Sequence, residues 1–197
     1  QGEISSEDMK IVADSTDAIV KQVESLRNLV NEFSQFARMP KSDRKPQELN
    51  AIIKETALMY KETHPDISFR LDLDESMPVF ALDREQIGRA LINIIDNGVA
   101  SIRSVSDDAQ QIDLPFAKKI ANQLVQQFVG RKDDGMISIS STYDPSLNMA
   151  SIKISDNGAG LGDEEKDRLF EPYYTTKKGG TGLGLSIVST IVSDHQG

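Results

Sequence analysis

The chain has 197 residues, 38% hydrophobic and 27% charged, ordinary values for a globular protein with room for one domain of roughly 150 residues and a smaller element. Its 31 acidic residues against 22 basic ones give a net charge of -9, which repels a polyanion and excludes nucleic acid as an expected partner. No apolar run is long enough to span a bilayer, there is no cysteine for a disulfide or a thiolate metal site, and His64 and His195 stand too far apart to suggest a zinc set. A cytoplasmic location is expected, since the first residues, QGEISSEDMK, lack the basic start and apolar stretch of a signal peptide. The abrupt start also suggests a piece of something longer.

From the N-terminal side, Met9, Val12, Ile19, Val23, Leu26, Val30, Phe33 and Ala37 recur at steps of three and four, with Thr16 filling the one gap. This heptad stripe, widened by Leu29 and Phe36, predicts a long helix packed in a bundle. No second helix of similar character follows, so its expected partner is another copy of the chain or upstream sequence. Met39-Pro40 ends the helix, and residues 41–46 read as a polar linker.

Residues 47–61 place Leu49, Ile52, Ile53, Ala57 and Tyr60 at helical spacing. Ile67, Phe69, Leu71 and Leu73 then alternate with polar residues as in a half-buried strand, and residues 79–82 suggest a second, short one. Asp83 is placed to cap a helix carrying Ile87, Leu91, Ile94, Ile95, Val99 and Ile102. Residues 107–134 combine an acidic start, a helical stretch and a polar turn, without an assigned function. Residues 135–143 and 150–155 are strand patterns, and Asp-Pro-Ser-Leu-Asn between them predicts a hairpin. A glycine-rich stretch, a short charged helix at 163–169, a second glycine-rich stretch and a helix from about Leu183 complete the order.

Four short blocks carry chemistry: Asn93-Ile-Ile-Asp-Asn97, Asp156-Asn-Gly158-Ala-Gly160, Phe170-Glu-Pro-Tyr-Tyr-Thr-Thr-Lys177 and Gly179-Gly-Thr-Gly182-Leu-Gly184-Leu. Asn93 and Asn97, four apart on a helix, share a face; such a pair serves surface polarity or a cap, or offers amide oxygens to Mg²⁺, which draws its other ligands from water and phosphates. Asp156 follows a strand and precedes two glycines, which gives either a tight turn or a carboxylate for the exocyclic amine of adenine, with the glycines leaving room for a ligand. Residues 179–184 run into a helix whose free N–H groups suit phosphates, but they lack the Gly-Lys-Ser/Thr ending of a Walker loop and the strand that precedes a dinucleotide fingerprint. Lys177 and Lys178 are either solvated loop charges or groups for a terminal phosphate.

In this order the blocks resemble the N, G1, F and G2 boxes of the sensor histidine kinases, within the ATP-binding superfamily that includes gyrase and the Hsp90 chaperones. Residues 23–40, VESLRNLVNEFSQFARMP, look like the second helix of the dimerisation hairpin in the nitrogen-regulation (NtrY-like) kinases. The resemblance implies an α/β fold: a two-layer sandwich over residues 47–197, its mixed sheet covered by helices on one face, preceded by a dimerisation helix at 1–40 and a linker at 41–46. It implies a homodimer through the helix at 6–38, ATP and Mg²⁺ as cofactors, and transfer of the γ-phosphoryl group to a hairpin histidine and then to a response-regulator aspartate. Asn93 and Asn97 would reach Mg²⁺ and the phosphates, Asp156 adenine, and Gly158 and Gly160 would shape the base pocket. Phe170, Thr176 and Lys177 would belong to a lid closed at its far end by Gly180, Thr181, Gly182, Leu183, Gly184 and Leu185, with Lys177 also catalytic.

Against the family pattern, the hairpin's first helix with its acceptor histidine would fall before Gln1, further strands after Gly197, and residues 107–134 are an insertion. Neither His64 nor His195 is expected to accept phosphate. Gly98 and Ala100 replace the family's usual Ala and a longer polar residue, which leaves open a degenerate nucleotide-binding module. A gyrase- or Hsp90-type ATPase places a general-base Glu where this chain has Asn93, and an amide cannot take a proton from water. The resemblance also allows a parent chain anchored in the inner membrane, with this segment making no membrane contact.

Overall fold

The computed structural model describes residues 6–37, 42–110, 135–177 and 180–197. Helix α1 (Ser6–Ala37) follows the heptad stripe, and Met9, Val12, Ile19, Val23, Leu26 and Val30 are all more than half exposed. Its apolar face is therefore not covered by the rest of the described chain. The side chains of Leu29, Phe33, Phe36 and Ala37, and residues 38–41, lie outside the described residues.

One expected boundary is corrected next. Residues 45 and 46, read as linker, belong to strand β1 (Lys45–Glu48), which pairs antiparallel with β3 (Val79–Leu82), Lys45 opposite Leu82 and Glu48 opposite Val79. Pro46 is tolerated because β1 is an edge strand. Helix α2 (Leu49–Thr63) starts two residues later than its spacing predicts.

The larger sheet is mixed, as expected. Strand β2 (Ile67–Leu73) runs parallel to β4 (Gly135–Asp144), and β4 is antiparallel to β5 (Met149–Asp156). The β4–β5 hairpin turns where Asp144 Oδ1 accepts from the Ser146 and Leu147 N–H groups, with Asn148 in the left-handed region at φ 52°. Helix α3 (Arg84–Gln110) connects β3 to the inserted segment and takes in residues 107–110; residues 111–134 lie outside the described residues.

Burial explains why α3 organises the domain. One side of it, Leu91, Ile95 and Val99, packs with Ile53, Ala57 and Tyr60 of α2 on Ile67, Ile137 and Ile139 of the sheet. A neighbouring side, Ala90 with Ile87 and Ile94, receives Leu183, Ile187, Val188 and Ile191 around the last helix. Full burial of each such aliphatic side chain contributes about 1.5–3 kcal/mol. Helix α4 (Asp163–Arg168) is short and has no buried residue, and α5 (Gly184–Asp194) ends the chain. No helix among the described residues is long and apolar enough to cross a membrane.

Candidate functional site

With its apolar sides committed to the sheet and to α5, α3 presents Asn93 and Asn97 beside the α5 contact. Asp83 sets the start of the helix, its Oδ1 accepting from the N–H groups of Glu85 and Gln86 at 3.1 Å. Asn93 Nδ2 is buried and has no hydrogen-bond partner among the described residues. A Cβ at Gly184 would lie 3.5 Å from Asn93 Oδ1, so the N-terminus of α5 abuts this side chain. Asn97 Oδ1 instead accepts from Lys177 Nζ at 2.6 Å. The third and fourth blocks thus meet the first on α3.

Asp156, the last residue of β5, sits beside the same helix turn. A Cβ at Gly98 would be 3.3 Å from Asp156 Cβ and 3.4 Å from Ile137 Cδ1, so the glycine makes room for the aspartate. Asp156 Oδ1 accepts from Gly158 N–H at 2.9 Å, and Asn157 exchanges hydrogen bonds with the Met136 backbone, fixing the exit from β5. The missing side chain of Gly158 makes room for α3: a Cβ would lie 2.4 Å from the Ser101 carbonyl carbon, and Ala159 N–H donates to Ser101 O. Gly160 has open space around it and is required by its φ of +73°.

The lid segment is tied at both ends. Arg168 stacks over the Tyr174 ring at 4.2 Å and donates to Glu171, while Phe170 and Thr176 are exposed. Tyr173, at φ 68°, donates its N–H to Gly182 O at 3.0 Å, and Gly182, at φ 70°, fits only because a Cβ there would overlap the backbone of residues 173 and 174. Lys177 O accepts from Gly180 N–H, and Thr181 Oγ1 accepts from Leu183 N–H at 3.4 Å. Leu183 itself is fully buried against α3, so its side chain anchors the core and does not face a ligand; Leu185 follows in the first turn of α5. Lys178 and Gly179 lie outside the described residues.

Charge and hydrogen bonding converge on Lys177. Partial burial lowers its ammonium from the ordinary lysine value, and the carboxylates of Asp96 and Asp156 pull it back up. Asp96, within the first block but turned away from Asn97 around the helix, has a structural partner. It accepts from the buried Tyr60 hydroxyl at 2.5 Å, and burial first, then this carboxylate, raises the Tyr60 phenol. The spacing of α2 marks Tyr60 as apolar core and gives no sign of that partner.

Together these residues offer an amide oxygen already holding a cation, an unpartnered amide donor at a helix N-terminus, a carboxylate at a strand end and a lysine. That donor set suits a hard cation that shares its ligands with phosphate oxygens. His195 is hydrogen-bonded at both ring nitrogens, and His64 stacks on Tyr60 with Nδ1 against Thr63 Oγ1.

The chain as a whole is similar to known proteins. The nitrogen regulation protein NtrY of Azorhizobium caulinodans is 34% identical over 192 residues, 98% of this chain and 22% of that protein, so the chain spans about a fifth of this relative. Among solved structures, full-length ShkA in complex with AMPPNP matches 98% of this chain and 35% of its own at 18% identity and a TM-score of 0.64. Histidine kinase ThkA in complex with response regulator protein TrrA matches 100% of this chain and 47% of its own at 20% identity and a TM-score of 0.60. At those identities the structures speak for the fold, the α/β sandwich with a long helix ahead of it. Residues 82–197, more than half of the chain and all four blocks, match one family throughout, and the chain belongs to the histidine kinase-, DNA gyrase B- and HSP90-like ATPase family.

Proposed function

We propose that this chain is the ATP-binding catalytic region of a two-component sensor kinase, which transfers the γ-phosphoryl group of ATP to a histidine on a dimerisation hairpin, from which it passes to a response-regulator aspartate. The observation that carries the reading is the Lys177 ammonium on Asn97 Oδ1, a cation held at an amide oxygen beside Asp156 and the N-terminus of α5. In the reading proposed here Asp156 holds the base by its exocyclic amine, and Asn93 Nδ2 finds its acceptor in a phosphate oxygen. Asn97 and Asn93 would hold Mg²⁺, which supplies neutralisation of phosphate charge when bound. Lys177, moved off Asn97, turns its ammonium to the terminal phosphate, and the N–H groups at residues 182–184 meet the chain of phosphates. Hydrolysis is disfavoured because Asn93 stands where a general base is needed, whereas a histidine acceptor brings its own nucleophilic nitrogen.

The exposed stripe on α1 supports a homodimer, and the AMPPNP and TrrA complexes of the neighbours support a nucleotide and a response regulator as partners. The relatives named for nitrogen regulation favour that signalling role. The test mixes this chain with γ-labelled ATP, Mg²⁺ and a separately produced histidine-bearing hairpin. Acid-labile, base-stable label on the hairpin is expected; bound ATP without transfer would reduce the chain to a nucleotide-binding module, and free phosphate would make it an ATPase. Asp156→Asn is expected to abolish ATP binding and Asn97→Ala to remove its Mg²⁺ dependence, both read by calorimetry. Unchanged affinity in Asp156→Asn would overturn the site.

A further inference from the structure

The hydrogen bonds around Asp83 join three segments far apart in sequence. Its Oδ1 caps α3 through the Glu85 and Gln86 N–H groups, its Oδ2 accepts from Asp43 N–H at 2.9 Å, and its own N–H donates to His195 Nε2 at 3.0 Å. Since Nε2 accepts, the ring carries its proton on Nδ1, which donates to Ile191 O at 2.7 Å. Lys45 pairs with Asp43 at 2.6 Å on the outer side of the group.

Each of these segments has a separate place in the molecule. Asp43 follows α1 in the chain, α3 carries Asn93 and Asn97, and α5 begins at Gly184, against Asn93, and ends at His195. Ile187 and Ile191 of α5 are almost fully buried, so the helix moves as a body and takes the imidazole with it. A shift of the α5 N-terminus toward a phosphate is thereby felt at the other end of the helix, where the ring holds the Asp83 backbone and, through the Asp83 carboxylate, Asp43.

We propose that Asp83 and His195 are positioning residues that couple occupancy of the nucleotide site to the placing of the segment that follows α1. This rests on the nucleotide reading given above. The coupling is reciprocal: whatever moves the segment at Asp43 alters nucleotide affinity, and bound nucleotide restrains Asp43.

Two substitutions at His195 separate this role from a merely structural one. His195→Asn retains a donor in reach of Ile191 O but is too short for the Asp83 N–H, whereas His195→Gln carries an amide oxygen where Nε2 stands. In the unmodified chain, Mg-AMPPNP is expected to slow hydrogen exchange at the Asp43 amide. His195→Asn is expected to lose that slowing and to bind Mg-AMPPNP about fivefold more weakly or worse, the lower end of ordinary coupling, with His195→Gln restoring both. Should His195→Asn fail to fold, Asp83→Asn serves: its single amide oxygen still caps α3 but cannot also hold Asp43, so the slowing should vanish while the helix persists. Folded variants that bind as tightly as the parent chain and retain the slowing at Asp43 would overturn the coupling. An unmodified chain that binds no Mg-AMPPNP would overturn the nucleotide reading itself, a result distinct from binding without coupling.

Discussion

Gly158, Gly160 and Gly98 lie within one turn of the candidate site, and each is a glycine for a different reason. A Cβ at Gly158 meets the backbone of Ser101 and Ile102 at 2.4 and 2.6 Å, where nothing can yield without moving α3. Gly158→Ala is therefore expected to cost several kcal/mol, as overpacking against rigid backbone does at about 1–3 kcal/mol or more. Gly160→Ala meets open space and should cost only the left-handed backbone, about 1–2 kcal/mol. Urea denaturation of the two variants checks the order; equal losses would mean that the loop does not pack on α3 as described. Gly98→Ala gains about 1 kcal/mol of helix propensity but crowds Asp156 Cβ and the buried Ile137. Because Ile137 is the less able to move, Asp156 gives way. The expected outcome is stability within about 1 kcal/mol of the parent and weaker ATP binding, and calorimetry showing unchanged affinity would separate Gly98 from the site.

Among elements, the long amphipathic helices, the strands and the hairpin were legible because their signals are local, whereas the mixed sheet came from the resemblance. Asn93, Asn97, Asp156 and Lys177 were marked by four ordered blocks, and the roles proposed for them come from the resemblance those blocks carry. What escaped depends on partners distant in sequence: β1 is a strand because β3 pairs with it, and residues 45–48 carry no alternation of their own. The helix backbone packed against Gly158 and the Tyr60–Asp96 and Asp83–His195 bonds leave no trace in spacing. The turns and caps have a measurable electrostatic consequence. The Ser76 hydroxyl and N–H hold the Asp74 carboxyl below its ordinary value, as Ser146 does for Asp144. Burial pushes the Asp83 carboxyl up, but the Gln86, Asp43 and Glu85 N–H groups outweigh it and the net shift is down. A carboxyl depressed in the folded state binds its proton first in the unfolded chain, so its stabilisation is present above the unfolded value of about 3.9 and is lost as pH falls through the folded values. The urea midpoint should hold from pH 7 to about 5 and fall below about 4. In Asp83→Asn, which still caps α3, that fall should be shallower; a fall as steep as in the parent chain would remove Asp83 from the effect.

For the molecule as a whole, α1 poses the largest unmet demand. A helix of 32 residues with Met9, Ile11, Val12, Ile19, Val20, Val23, Leu26 and Val30 each at least half exposed is sustained in water by packing, not by propensity. The described residues of the domain behind it do not supply that packing, since helices α2, α3 and α5 already bury their apolar sides on the sheet and on one another. A second copy brings an identical stripe, and the steps of three and four allow the two to interlock as in a helical bundle. The chain is thus expected to sediment as a dimer at micromolar concentration. Ile19→Glu with Val23→Glu, placing four carboxylates in the seam of a dimer, should give monomers with less helical circular dichroism. Each monomer should still bind Mg-ATP, because Asn93, Asn97, Asp156 and Lys177 all lie beyond α1. A parent chain that sediments as a monomer would assign the stripe to a different partner helix, and a charged variant that stays dimeric would place the contact between copies on the domain instead.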